Sequence, residues 1–199
     1  MTLVNSLSAS QEVLRGLEQE FQVDFRSVDL PRYYGMHFHQ GLRDLYDKYP
    51  GLPDFETFKQ LYQERFIARF SEIHLQEEAV LTRLIGDGYK VGIVTYNNSV
   101  PVRKVLERHK VNLETVIGND HLTAEQGKTH GISLALEQLQ SSKNEAAYIG
   151  DHSNDIVEAK QAGVMSVAIP TGFVTRTELE AFKPDLMLEK LDDIFKYLE

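Results

Sequence analysis

The sequence contains no cysteine, which excludes disulfide bonds, zinc–thiolate sites and thiol nucleophiles. Basic residues are also scarce: 21 lysines and arginines stand against 30 aspartates and glutamates, and the formal net charge is -9. Such a surface repels nucleic acid and anionic membranes, so we expect neither as a partner, and an anionic ligand needs a local site. No run approaches the roughly 18 apolar residues of a membrane span.

The first ten residues, MTLVNSLSAS, lack the basic and apolar regions of a signal peptide, and we therefore expect a cytoplasmic protein. The 199 residues, 42% of them hydrophobic, suffice for one ordinary domain or for a core with a smaller insertion.

Short apolar runs alternate with amphipathic segments from about residue 90 onward, which is the pattern of β-α units around a parallel sheet. We therefore predict an α/β fold with a doubly wound parallel sheet. The predicted strands are 90–96, 114–118, 146–150, 165–169 and 185–189, and the helices of this part are 99–110, 129–141, 153–162 and 190–198.

The first part of the chain, residues 8–88, carries helical patterns and no convincing strand. Aromatic residues recur at three- and four-residue spacing from Phe55 to Phe70, which predicts a buried helix face rather than a cofactor site. The predicted helices here are 8–21, 40–48, 54–70 and 77–86.

Chemically apt side chains follow the predicted strands. Thr95 ends the first strand, and the loop after it, with Asn97, offers backbone N–H groups before a helix. Lys128 lies at the start of another helix, and Asp151 and Asp155 follow the run AAYIG. Ligands of open parallel sheets bind at the carboxyl ends of the strands. A hydroxyl, a cation and paired carboxylates there suit a phosphate and a magnesium ion.

Each of these residues also has a structural interpretation. A threonine before a loop is often a cap, and a single lysine is usually a solvated charge. Asp151 and Asp155 could cap and complement the helix that starts near Ser153. The order of all of them along successive β-α units favours a common site.

The same residues carry a family resemblance. Thr95 after GIV, Lys128, and the segment GDHSNDIVEAKQAGV resemble the second, third and fourth motifs of the haloacid dehalogenase superfamily, in particular its phosphoglycolate-phosphatase-like branch. The resemblance covers most of the chain. It implies a core formed by residues 1–7 and 76–199, with a helical cap inserted at residues 8–75.

The resemblance also implies a chemistry, the magnesium-dependent hydrolysis of a small phosphorylated metabolite, a phosphate monoester. In that scheme Asp151 ligates the metal ion and Asp155 supports the metal site. Thr95 and Asn97 bind the phosphoryl group, and Lys128 stabilises its charge.

The start of the chain departs from the family pattern. Similar members open with a short apolar strand that ends in Asp-x-Asp-Gly-Thr, whose aspartates serve as nucleophile and as general acid and base. Here MTLVNSLSASQEVL resembles the family's sequence immediately after the two aspartates, so Thr2 matches the threonine of the motif. We therefore expect the first core strand to be missing, magnesium to bind weakly, and the chain as written to be inactive or severely impaired.

Three explanations for this departure remain open. The chain is a truncated active enzyme, a pseudoenzyme, or a protein in which another segment fills the gap. Residues 2–7, TLVNSL, are the local candidate for that segment. The rival function is a non-catalytic protein that keeps Thr95 and Lys128 as a site for a phosphate ligand, or binds partners through its helical part.

Other motifs carry weaker signals. The sequence GKT at 127–129 lacks the upstream glycine of a nucleotide-binding P-loop. His37 and His39 could form a metal pair, but no third ligand is evident, and packing or surface placement is favoured. Arg65 and Arg69 could reach an anionic substrate, although a solvated helix face is the safer expectation.

Overall fold

The structure is a computed structural model that describes residues 2–4, 6–33, 38–70, 72–123, 126–172 and 174–198. No helix within these ranges is long and apolar enough to cross a membrane. The first part of the chain is helical, as predicted. It contains α1 (Leu7–Phe21), a 3-10 turn (Leu30–Tyr33), α2 (Phe38–Tyr46), α3 (Phe55–Phe70) and α4 (Glu78–Gly86).

The aromatic face of α3 is the core of this helical part. Asp54 accepts a hydrogen bond from the backbone N–H of Thr57 (3.1 Å), which caps the first turn of α3. The buried face consists of Phe55, Phe58, Tyr62, Phe66 and Phe70. It packs against α1 in an apolar cluster that continues to Val105 and Val116 of the second part of the chain, so the two parts share one core.

The second part alternates strands and helices. Its strands are β1 (Gly92–Val94), β2 (Thr115–Ile117), β3 (Ala147–Gly150), β4 (Met165–Ala168) and β5 (Leu186–Met187). Its helices are α5 (Ser99–Arg108), α6 (Lys128–Leu139), α7 (Ser153–Ala162) and α8 (Arg176–Ala181), followed by a 3-10 helix (Leu191–Lys196). All five predicted strands are present, and each is shorter than predicted. Helix α8 was not predicted. The helix predicted at 190–198 is a 3-10 helix rather than an α-helix.

The strands form two separate parallel sheets. One contains β1 and β2, and the other contains β3, β4 and β5 in that order. Among the residues that the structure describes, no strand lies between β1 and β3. The space there belongs to a cavity of about 810 Å³, which is lined by residues of both sheets, of α4 and α6, and of the helical part.

The segment TLVNSL does not fill this gap, and that hypothesis is wrong for its described residues 2–4 and 6–7. Val4 forms an isolated antiparallel bridge with Leu75, and the carbonyl of Leu3 accepts a hydrogen bond from the N–H of Gln76 (2.8 Å). The backbone of this segment is therefore paired with the residues before α4, and α1 already begins at Leu7.

Candidate active site

The loop after β1 presents the Thr95 hydroxyl. The N–H of Thr95 bonds to the carbonyl of Ile117 (2.9 Å), which keeps Thr95 beside the end of β2. Its Oγ1 accepts a hydrogen bond from the backbone N–H of Asn97 (3.1 Å) and lies 3.5 Å from the Asn97 Nδ2 atom. Because the oxygen is the acceptor in both contacts, the hydroxyl proton can be donated to an anion in the cavity.

The loop after β2 holds this β1 loop in place. Asp120 accepts hydrogen bonds from the N–H and the hydroxyl of Ser99, both at 2.7 Å, and so supplies the N-terminal cap of α5 from another loop. Burial opposes the ionisation of Asp120, but these two bonds outweigh it and lower the pKa of the carboxyl. Gly118 is required here, since a Cβ at this position would lie 2.3 Å from the Ser99 nitrogen.

Lys128 begins α6 and forms a buried ion pair with Asp155. Its Nζ lies 2.6 Å from Asp155 Oδ1, and the two side chains are 13% and 6% exposed. Burial alone would lower the pKa of Lys128, but the charge of Asp155 outweighs it and the pKa is raised. The ammonium also lies 5.0 Å from the ring centroid of Tyr96 and 5.9 Å from that of Tyr148. Lys128 is therefore held as a fixed cation.

Asp155 has a structural role in addition to this pairing. Its Oδ2 accepts the backbone N–H of His152 (3.1 Å), and the two residues form a capping box at the start of α7. Its Oδ1 also lies 3.4 Å from the Tyr148 hydroxyl. The carboxylate packs on Gly150, where a Cβ would come within 2.4 Å of it, which explains why the strand before the aspartates ends in glycine.

Asp151 directly follows β3 and lines the same cavity as Thr95 and Lys128. Its carboxylate accepts hydrogen bonds from the hydroxyls of Thr2 (3.3 Å) and Thr171. The five predicted site residues, Thr95, Asn97, Lys128, Asp151 and Asp155, thus all line one cavity, which also extends along β1 and β3 to their amino ends.

Sequence reasoning missed a second group of residues behind the predicted site. Glu158 of α7 accepts the Tyr96 hydroxyl (2.6 Å) and the N–H of Thr129 (2.7 Å). Burial and the neighbouring Glu158 carboxylate raise the pKa of Tyr96 to about 12. Glu158 lies three residues after Asp155, on the same face of α7, and that spacing was the available signal. The group fixes the start of α6 and therefore the position of Lys128.

The histidine pair and the two arginines of the first part of the chain are not among the residues that form this site. His37 lies outside the described residues, so a pair with His39 has no structural account. His39 packs edge-on against Phe55, with ring centroids 5.3 Å apart. Arg65 pairs with Glu20, and Arg69 lies 3.3 Å from Glu12 on the protein surface, in line with a solvated helix face.

The described residues do not form a complete magnesium site. Magnesium needs near-octahedral oxygen coordination, with water or substrate supplying the ligands that carboxylates do not. Asp155 is already engaged by the Lys128 ammonium and the His152 N–H, which leaves Asp151 as the principal carboxylate for a cation. Within the described ranges there is no cluster of three or more histidine or acidic side chains that could hold a metal ion.

Comparison with known proteins connects this geometry to a family. The model of the family described as haloacid dehalogenase-like hydrolase matches residues 1–169. A pyrophosphatase PpaX from Listeria welshimeri is 27% identical over 201 residues, covering 97% of this chain and 90% of the relative. A pyrophosphatase PpaX from Bacillus cereus is 28% identical over 149 residues, covering 74% of this chain and 67% of the relative.

Solved structures agree on the fold. A predicted phosphoglycolate phosphatase from Haemophilus somnus superposes with a TM-score of 0.83 at 19% identity, covering 99% of this chain and 93% of that one. A hydrolase from Streptococcus pneumoniae superposes with a TM-score of 0.81 at 19% identity, covering 100% of this chain and 94% of that one. At such identities the likeness concerns the fold alone. The family match over most of the chain identifies the protein as a member of the haloacid dehalogenase-like hydrolases.

Proposed function

We propose that the cavity binds the phosphoryl group of a small phosphate monoester. The observation that carries this proposal is the buried Lys128–Asp155 pair, which keeps a cation fixed at the cavity that Thr95 also lines. An ammonium has three donors, and Asp155 occupies one of them. The remaining donors of Lys128, the Thr95 hydroxyl and the N–H groups of the loop with Asn97 suit phosphate oxygens.

The helical part is proposed to act as a cap over this site. Phe38, Leu42, Tyr62 and Phe66 line the same cavity as the phosphate-binding residues. Mostly apolar contacts on this side would exclude water and select the organic part of the substrate. The proposed cap therefore determines which monoester is bound, while the sheet part binds its phosphoryl group.

The chain as given is proposed to bind such a compound with little or no turnover. By the family resemblance, the nucleophile is an aspartate of the Asp-x-Asp motif, which these 199 residues do not contain ahead of Thr2. Asp155 is a poor substitute, because the Lys128 ammonium and the His152 N–H already hold its oxygens. Asp151 is proposed to carry the weak magnesium affinity that the chain retains.

A second candidate substrate is inorganic pyrophosphate. Relatives that are 26% to 28% identical to this chain bear the name pyrophosphatase PpaX. Pyrophosphate presents the same phosphoryl oxygens to Lys128 and Thr95 and has no organic part for the proposed cap to contact. Measuring both compounds against the same protein separates the two candidates.

Calorimetric titration of phosphate, an alkyl phosphate and pyrophosphate tests binding directly. Thr95→Val removes one hydrogen bond to a charged ligand and should weaken binding about 10- to 100-fold, whereas Thr82→Val on the exposed face of α4 should not. Lys128→Met should abolish binding, and Lys104→Met on α5 serves as its control. Unchanged affinity in both site variants would refute the proposal.

Turnover is measured separately with an aryl phosphate in the presence of magnesium. We expect no hydrolysis above the Asp151→Asn variant or above an EDTA control. If hydrolysis occurs and Asp151→Asn abolishes it, another group supplies the nucleophile and the chain as given is an active phosphatase.

A further inference from the structure

Aromatic side chains of the helical part border the loop after β1. Phe38 of α2 and Phe66 of α3 line the large cavity together with Thr95. The same two side chains line a second hollow of about 20 Å³, which Asn97 and Asn98 of that loop also line. An organic group attached to a phosphoryl group at Thr95 would therefore lie within reach of these two rings.

A third ring joins these two into one aromatic surface, formed by Phe38, Tyr62 and Phe66. The ring centroid of Tyr62 lies 6.0 Å from that of Phe38 and 6.0 Å from that of Phe66, and the rings of Tyr62 and Phe66 are nearly parallel (13°). Tyr62 and Phe66 are only 7% and 9% exposed, so their packing holds them in place before any ligand arrives. Such a surface favours an apolar partner, and above all another ring.

The two arginines of α3 are engaged on another side of the helix. Arg65 pairs with Glu20, and Arg69 lies 3.3 Å from Glu12, so both guanidinium groups lie against α1. Within the described residues of the helical part, no charged side chain lines the large cavity or the second hollow. A carboxylate placed against the aromatic surface would lose its water and gain no counter-ion in return, which opposes binding.

We propose that the monoester bound here is the ester of an uncharged, apolar alcohol, whose ring or branched alkyl group packs on the aromatic surface, and that esters carrying a carboxylate are bound weakly. This inference rests on the proposed function, because the phosphoryl group must first occupy the site at Thr95 and Lys128. It deepens that function by naming the chemical class of the alcohol.

Gln63 of α3 is the specificity-determining position next to the aromatic surface. Its partly buried side chain lines the second hollow together with Phe66 and Asn97. The amide can donate or accept a hydrogen bond but has no charge, so it tolerates a hydroxyl or an ether on the alcohol and offers no counter-ion to a carboxylate. A cation at this position would reverse the selection.

Calorimetric titration with two matched pairs of esters tests the selection. Ethyl phosphate and phosphoglycolate differ by a methyl and a carboxylate, whereas 4-nitrophenyl phosphate and 4-carboxyphenyl phosphate differ by two groups of the same shape. We expect each uncharged ester to bind at least about tenfold more tightly than its acid. Equal or tighter binding of the acids, while inorganic phosphate still binds, would overturn this inference alone. Binding of neither phosphate nor any ester would refute the proposed function as well.

Variants test whether the helical part makes the selection. Gln63→Arg should raise the affinity for phosphoglycolate at least to that for ethyl phosphate, whereas Gln60→Arg, on the exposed surface of α3, should leave the original ratio. Phe38→Leu should weaken the binding of 4-nitrophenyl phosphate more than that of inorganic phosphate. Phe182→Leu, at a position that is 44% exposed after α8, is its control.

Each readout is a ratio of two affinities measured on the same folded variant, so a general loss of stability does not imitate the expected result. If Gln63→Arg and Phe38→Leu both leave these ratios unchanged, the alcohol does not lie against the aromatic surface and the inference is overturned.

Discussion

The Lys128–Asp155 pair allows a quantitative prediction. Asp155→Asn removes the negative charge and keeps the size of the side chain, which leaves a buried ammonium without its counter-ion. Breaking a buried pair in this way costs about 3–5 kcal/mol. For a chain of this size we therefore expect a melting temperature lower by roughly 6–20 °C.

The pH dependence of this loss tests its cause. Without Asp155, burial is the main influence on Lys128 and lowers its pKa in the folded state below the ordinary 10.5. The folded protein then binds fewer protons than the unfolded chain, so its stability rises with pH in that range. The loss of stability caused by Asp155→Asn should thus be largest near neutral pH and shrink as the pH approaches 10.5.

Urea unfolding followed by far-UV circular dichroism measures these differences, with Lys128→Met and the double variant completing a thermodynamic cycle. We expect the double variant to recover part of the loss, because no unpaired charge remains buried. A loss below about 1 kcal/mol, or strict additivity of the two variants, would show that the pair is not the main reason for the position of Lys128.

Further predictions concern the supports of the site and the core. Gly150→Ala places a Cβ against Asp155 and should cost on the order of 3 kcal/mol, whereas Gly86→Ala, with open space around it, should cost little by urea unfolding. The pKa of Asp120 is lowered from 3.8 in the folded protein, so its ionised form stabilises the fold above that pH and this contribution is lost on acidification. The free energy of unfolding that Asp120→Asn loses relative to the original protein should therefore shrink below about pH 4. Phe58→Ala should lower the melting temperature far more than Phe182→Ala, because Phe58 is fully buried and Phe182 is 44% exposed.

The sequence predicted the kind and order of most elements because their patterns are local. Apolar runs identified all five strands, but the regular pairing covers only two to four residues of each, since loops and caps take over the ends. Helix α8 was missed although Thr175 and Glu178 form a capping box that the sequence displays. The run of apolar residues inside this short helix was too brief to be recognised.

The site was predictable to the extent that its residues follow strands. Thr95, Lys128 and Asp155 line one cavity because the carboxyl ends of parallel strands meet there. The contact of Lys128 with Asp155 spans 27 positions, and that of Tyr96 with Glu158 spans 62. The first pairing depends on how α6 packs on α7, and the second on how the loop after β1 lies against α7, which no local pattern specifies.

The division into two sheets also bears on how the protein folds. Each sheet is formed from one continuous stretch of chain, and its paired strands lie about twenty positions apart in sequence. Such pairings close short loops and cost little entropy, so each sheet can form early and without the other. We expect refolding experiments with pulsed exchange labelling to show β1–β2 and β3–β4–β5 gaining protection at separate rates, with docking of α6 on α7 as the later step.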